Sequence, residues 1–212
     1  MPSTTVIASI GILVISMVIG FLFYYITTLG PKEEKKQQIG DILSLVINFM
    51  IFIWIGKIVV HLAKFVQDPL AVLAYPSNSY AFYIATIFII VNLIYRMVKH
   101  QQNMPLLLSS FVSVFLAATF TYEFLQIIIE KNNNWIYLSF ITFTLIIYLV
   151  MIEKVNIEKS TLTIAILWLV GQFVLSIVSY ATIFSYHLSP IYFVCLLIFI
   201  LSYYLYRKKR RV

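Results

Sequence analysis

The sequence predicts an all-α fold: a polytopic bundle of seven transmembrane helices, N-terminus outside and C-terminus in the cytoplasm. Three observations carry this expectation. Of the 212 residues, 62% are hydrophobic and only 11% charged, against about 25% charged in a soluble domain. Apolar runs long enough to cross a hydrocarbon core of about 30 Å recur along the whole chain. Basic residues collect in alternate connectors, as the positive-inside rule requires of a multi-span protein. A transmembrane barrel would show strands of alternating polarity, whereas a stretch such as TIFIIVNLIYRMV is apolar on every side.

In order, the spans are expected at about 5–28, 41–62, 80–98, 105–129, 135–152, 161–185 and 189–206, making one domain over 1–212. The first follows MPSTT, which lacks Lys and Arg, and is longer than a signal-peptide core, so it is expected to remain as a span. Twelve of the fifteen Lys and Arg lie on one side: Lys32, Lys35, Lys36, Arg96, Lys99, Lys154, Lys159 and the tail from Arg207 to Arg211. Only Lys57, Lys64 and Lys131 fall toward the other, which sets the orientation. The net charge of +7 is therefore a topology signal, and no nucleic acid is expected as a partner.

The connector KFVQDPLAVLAYPSNS is too apolar for a solvated loop. Asp68 before Pro69 reads as an N-cap with Pro at the first helical position, so an interfacial half-helix is expected over about 68–75, ended by Tyr75 and Pro76. Tyr24, Tyr25, Tyr203, Tyr204 and Tyr206 sit at span ends, as an interfacial aromatic belt would place them.

Ionisable groups cost at least about 2.5 kcal/mol at the centre of a bilayer, so each one within a span marks a function or a helix pairing. Lys57, His61 and Lys64 recur at spacings of four and three on span 2, and Glu123, Gln126 and Glu130 make the matching stripe on span 4. Counted from the inner ends, Lys57 is about 24 Å and Glu123 about 27 Å up a core of about 30 Å, so a Lys57–Glu123 pairing is one expectation. The other is that the lysines reach outward to headgroups while Glu123 is satisfied by hydroxyls. Asn48, Asn92 and Gln172 are deeper, where lone amides ordinarily bond a neighbouring helix.

His100 and His187 fall in connectors, and no HExxH, Walker loop, dinucleotide fingerprint or GxSxG elbow occurs, so neither a metal nor a cofactor is expected. The one cysteine, Cys195, lies in an apolar run and excludes an intramolecular disulfide.

The region GDILSLVINFMIFIWIGKIVVHLAKFVQDPLAVLAYPSNSYAFYIAT, Gly40 to Thr86, resembles the corresponding part of prolipoprotein diacylglyceryl transferase, a bacterial seven-span enzyme with its N-terminus outside. Asp41, Gly56 with Lys57, and Asp68-Pro69-Leu70 look similar to that family's acidic opening of span 2, its Gly-Ala-Arg step and its outer Asn-Pro-Leu half-helix. Its His-Gly-Gly entry is replaced by Tyr80 to Tyr83. Its Gly-Arg-Ile-Gly-Asn-Phe is replaced by Thr121 to Gln126, and its arginine after a glycine on span 6 by Gln172 after Gly171. Its outer head segment is reduced to Lys131 through Asn134.

The resemblance implies a bacterial plasma-membrane, multi-pass protein that binds phospholipid or a lipid-anchored partner without catalysing the transfer, since glutamine and lysine do not reproduce an arginine clamp on phosphate. The candidate headgroup-binding residues are Lys57, His61, Glu123, Gln126 and Gln172. Expected partners are membrane lipids, with another membrane protein or a lipoprotein beside them. Two other classes stay open: a small ion-coupled permease with Glu123 titrating, and a structural or assembly subunit of a membrane complex.

Overall fold

The structure, a computed structural model, describes residues 4–28, 30–74, 78–99, 103–131, 133–178, 182–184 and 186–210. Tyr75 and Pro76 as terminators of the half-helix, His100, Asn132 and Arg211 lie outside them. Among the described residues the regular structure is all-helical apart from one two-residue ladder. Its elements are α1 (Thr4–Thr27), α2 (Lys32–Val60), α3 (Leu62–Gln67), α4 (Pro69–Ala74), α5 (Ser79–Lys99), α6 (Met104–Ile129), α7 (Trp135–Lys154), α8 (Ile157–Val178), β1 (Thr182–Ile183), β2 (Tyr186–His187) and α9 (Pro190–Arg210).

Among the described residues, six helices are long and apolar enough to cross a membrane: Ala8–Thr27 of α1, α2, α5, α6, Trp135–Ile152 of α7, and α8. The expected seventh span falls on α9, whose apolar stretch among the described residues, Pro190–Leu205, is shorter. The fold divides into two compact units, Met1–Gly30 with Leu108–Val212, and Pro31–Leu107.

The unit Pro31–Leu107 is built on α2 and α5. They come together at Gly56, where an added Cβ would lie 2.7 Å from the carbonyl oxygen of Ala81 and 3.0 Å from its Cα. The missing side chain lets the two backbones touch, and Phe49 meets Phe82 edge to face at 5.1 Å, with Phe52 against Phe88 at 5.5 Å.

At the basic end of α5, Arg96 reaches back along its own helix. Its Nε donates to Asn92 Oδ1 at 3.0 Å and its terminal nitrogen to Ser44 Oγ at 2.8 Å, so an ionised side chain joins α5 to α2. Asn92 thus serves helix pairing, through Arg96.

Two sequence expectations change in this unit. Span 2 starts nine residues early, because Lys32–Gly40 continues the helix, with Glu33 and Glu34 in its first turn where the positive end of the helix dipole favours acids. The second change is at His61 (φ −118°, ψ 32°), which breaks the helix between α2 and α3. Lys57, His61 and Lys64 therefore do not form one helical face, since the four-and-three spacing aligns side chains only along an unbroken helix. Lys57 is buried at 6% exposure and Lys64 is exposed. After Asp68, whose Oδ1 accepts the Ala71 backbone N–H at 3.0 Å, α4 runs for six residues from Pro69.

The other unit centres on α6, the most buried of the long helices. Antiparallel α1 lies along it. Ser9 donates to Glu130 at 2.7 Å at one end, and Ser110 donates to the Tyr24 hydroxyl at 3.0 Å at the other. Between them Gly20 sits so close that a Cβ would be 2.6 Å from the Val114 carbonyl oxygen. Leu116, Tyr148 and Ile164 join α6, α7 and α8 in a core, with Phe23 of α1 packed against it.

The sequence predicts span 6 as far as residue 185, whereas α8 is described to Val178, and Thr182 and Ile183 are not helical. Thr182 pairs with His187 and Ile183 with Tyr186 in a tight antiparallel reversal that leads into α9.

Candidate functional site

The site grows from the polar stripe of α6. Buried Thr119, Glu123 and Gln126 follow one another at spacings of four and three, hence on one helical face. Gln126 is turned onto its own helix, its Nε2 bonding the Tyr122 hydroxyl at 3.0 Å. Glu123, 2% exposed, accepts the Asn134 side-chain amide on Oε2 at 3.0 Å. That contact depends on the reversal after α6, where Lys131 takes a left-handed φ of 54° and the chain folds back over the end of the helix.

Three residues beyond Asn134, on the same face of the chain as it enters α7, stands Tyr137, 2% exposed. Its hydroxyl lies in the field of the Glu123 carboxylate and faces Gln172 and Trp168 of α8. Gln172 and Trp168 are four residues apart and so stack on one face of α8.

What presses α7 onto α8 here is Gly171, since any side chain at that position would run into the ring of Phe140. Phe140 is one turn along from Tyr137, so the close approach at Gly171 also sets Tyr137 opposite Gln172.

The groups approach without closing on one another. The Tyr137 hydroxyl, Trp168 Nε1, Thr119 Oγ1 and both amide atoms of Gln172 are buried and make no hydrogen bond of good geometry. Leaving such a group unsatisfied costs about 1–3 kcal/mol. An aromatic wall stands beside them: Phe115 meets Trp168 edge to face at 5.0 Å, and Phe184 meets Tyr122 at 5.1 Å.

Glu123 and Gln172 lie toward one end of the unit, whereas Phe115 and Trp168 are near the middle of their helices. Glu123 is six residues before the end of α6 and Gln172 six before the end of α8, so each is about 9 Å below a helix terminus.

Of the five residues singled out from the sequence, Glu123, Gln126 and Gln172 belong to this unit, and Tyr137 joins Glu123 to Gln172. Lys57 and His61 belong to the other unit, Lys57 buried near the end of α2 and His61 half-buried at the α2–α3 joint. Sequence reasoning missed Asn134, Tyr137, Trp168 and Thr119. A tyrosine facing inward from the first turn of a span looks like one of the interfacial anchors. The available signal was Asn134 and Tyr137 three apart, with Tyr137, Phe140, Ile141, Thr144 and Tyr148 continuing along one helical face.

Among the described residues no three His, Cys, Asp or Glu side chains gather to hold a metal ion. Comparison of the chain with protein-family models, with curated proteins and with solved structures finds no match.

Proposed function

We propose that this multi-pass protein belongs to a bacterial plasma membrane, spans it seven times with its N-terminus outside, and holds the polar headgroup of a phospholipid or lipid-anchored partner without transferring it. The reading keeps the resemblance to prolipoprotein diacylglyceryl transferase for layout alone. One observation carries it: buried Glu123 and Gln172, each about 9 Å below a helix end, converge on buried Tyr137, with the amide of Gln172 poorly satisfied by the protein itself. At that depth from the outer surface a lipid headgroup meets its acyl chains. A carboxylate, a phenol and two amides bind and orient a headgroup. They supply no arginine clamp for a phosphate and no base aimed at a nucleophile, so retention rather than group transfer follows.

The test is native mass spectrometry of gently solubilised protein beside a complementation assay. A specific lipid retained by the unchanged protein and lost from Gln172→Leu supports the reading. Rescue of lipoprotein lipidation in transferase-depleted cells contradicts its non-catalytic half.

A second reading, a small ion-coupled permease, is favoured by buried Ser109, Ser113, Thr119 and Glu123 spaced along α6, interrupted by the apolar core at Leu116. Cation flux into proteoliposomes, abolished by Glu123→Gln, would place it ahead.

A further inference from the structure

We infer that the basic end of α9 is a contact surface for anionic phospholipid headgroups, of the phosphatidylglycerol kind, which anchor this short helix in the bilayer. The inference rests on the membrane-spanning reading and is independent of the Glu123 site.

Length sets the need for an anchor. α9 runs from Pro190 to Arg210, but its apolar stretch among the described residues ends at Leu205. At about 1.5 Å per residue that stretch is about 24 Å long, short of a hydrocarbon core of about 30 Å. A span this short is held by long cationic side chains at its end, which reach the headgroup layer. Beyond Leu205 and Tyr206 stand Arg207, Lys208, Lys209, Arg210 and Arg211, five cations in succession. Because the helix continues to Arg210, four of them lie within about 7.5 Å of Leu205 along its axis. That is inside a Debye length of about 8 Å at physiological salt, so these charges feel the potential of the membrane surface.

The unit to which α9 belongs holds too few acids to neutralise the run. From Lys159 to Val212 there is no Asp or Glu. Glu123 and Glu130 belong to the opposite end, near the end of α6. α9 returns along α8 after the β1–β2 reversal, which brings its basic end to the level where α8 begins. The acids there are Glu153 near the end of α7 and Glu158 in the first turn of α8, and each has a lysine beside it in sequence, Lys154 and Lys159. The five cations of α9 are left in excess.

Successive helical positions turn by about 100°, so five of them go right round α9, and a neighbour on one side meets only part of the run. A bilayer surface surrounds the helix and meets all of it. Nucleic acid has phosphates for the same cations, but to reach them it would have to lie against the bilayer, where anionic headgroups already stand.

The experiment uses the full chain in phosphatidylcholine bilayers carrying a trace of spin-labelled phosphatidylglycerol or spin-labelled phosphatidylcholine. Electron spin resonance reads the share of each lipid held against the protein. The unchanged protein should favour phosphatidylglycerol roughly fivefold. The preference should disappear when Arg207, Lys208, Lys209, Arg210 and Arg211 all become glutamine, which keeps the helix propensity of the run. It should persist when Arg207, Arg210 and Arg211 become lysine, because charge carries it. Since the glutamine variant could insert poorly, salt is also raised to about 1 M on the unchanged protein, where a Debye length of about 3 Å should remove most of the preference.

No preference on the unchanged protein, an equal preference on the glutamine variant, or a preference that survives high salt overturns the inference. So does an RNA oligonucleotide that displaces phosphatidylglycerol, which would assign the run to nucleic acid. The preference is read in either leaflet, so its failure is separate from a failure of the proposed topology and leaves the Glu123 site untouched.

Discussion

Asn134 donates its side-chain amide to Glu123 at 3.0 Å across the reversal between α6 and α7, capping a carboxylate that is 2% exposed with a neutral group. The two residues lie eleven apart in sequence, and their contact fixes how the start of α7 sits over the end of α6. Asn134→Ala should lower stability by about 1–3 kcal/mol, the cost of an uncompensated buried acceptor. Thermal unfolding in detergent checks this, with Asn133→Ala, an exposed neighbour in the same loop, expected to change little.

Gln172→Leu should act in the opposite direction. The buried amide of Gln172 meets the Tyr137 hydroxyl without good hydrogen-bond geometry, so leucine removes a poorly satisfied group and fills a similar volume. Unchanged or higher melting temperature, together with loss of retained lipid, is the expected pair of results. A clear fall in melting temperature would mean that Gln172 is a structural contact.

Close helix packing depends on Gly20 and Gly56. An alanine Cβ at either would lie within 2.7 Å of a backbone carbonyl oxygen, so one helix must move. Gly20→Ala and Gly56→Ala should each cost about 1–3 kcal/mol. Gly11→Ala, with nothing within 4 Å of its Cβ, should be neutral or slightly stabilising. The same unfolding assay compares all three.

The membrane orientation is open to labelling on a Cys195→Ser background, since Cys195 is exposed and the only cysteine. A cysteine replacing Lys35 should react with an impermeant reagent only after the cells are opened, and one replacing Lys131 while they are intact. Labelling of position 35 from outside would reverse the proposed topology.

Much of the helix plan was legible because lipid imposes it. Sustained apolar length located Ser79–Lys99 and Trp135–Lys154 within two residues at each end. Asp68-Pro69 announced α4 by cap chemistry that works locally.

What escaped notice depends on tertiary context. Lys32–Gly40 is too polar to register as a span, yet it is helical because its residues, apart from Gly40, form helices readily and α2 propagates into them. No Gly or Pro just before Thr182 marks the departure from helix, yet Thr182, Ile183 and Tyr186, β-branched or aromatic, lie in a ladder.

Glu123 and Gln172 stood out singly because a polar residue in lipid is costly. That Tyr137 joins them depends on which face of α7 meets α8. Gly171 decides that through Phe140, and no periodicity in either helix alone reveals it.

The central claim, that buried Glu123, Tyr137 and Gln172 are kept for a ligand, is tested most directly by native mass spectrometry of the unchanged protein beside Tyr137→Phe. Removing the hydroxyl that faces Gln172 and Trp168 subtracts one oxygen from the site without opening a cavity, so helical content should be preserved. The account predicts a specific lipid on the unchanged protein and several-fold less of it on Tyr137→Phe. Equal lipid on both proteins, or none on either, would contradict it.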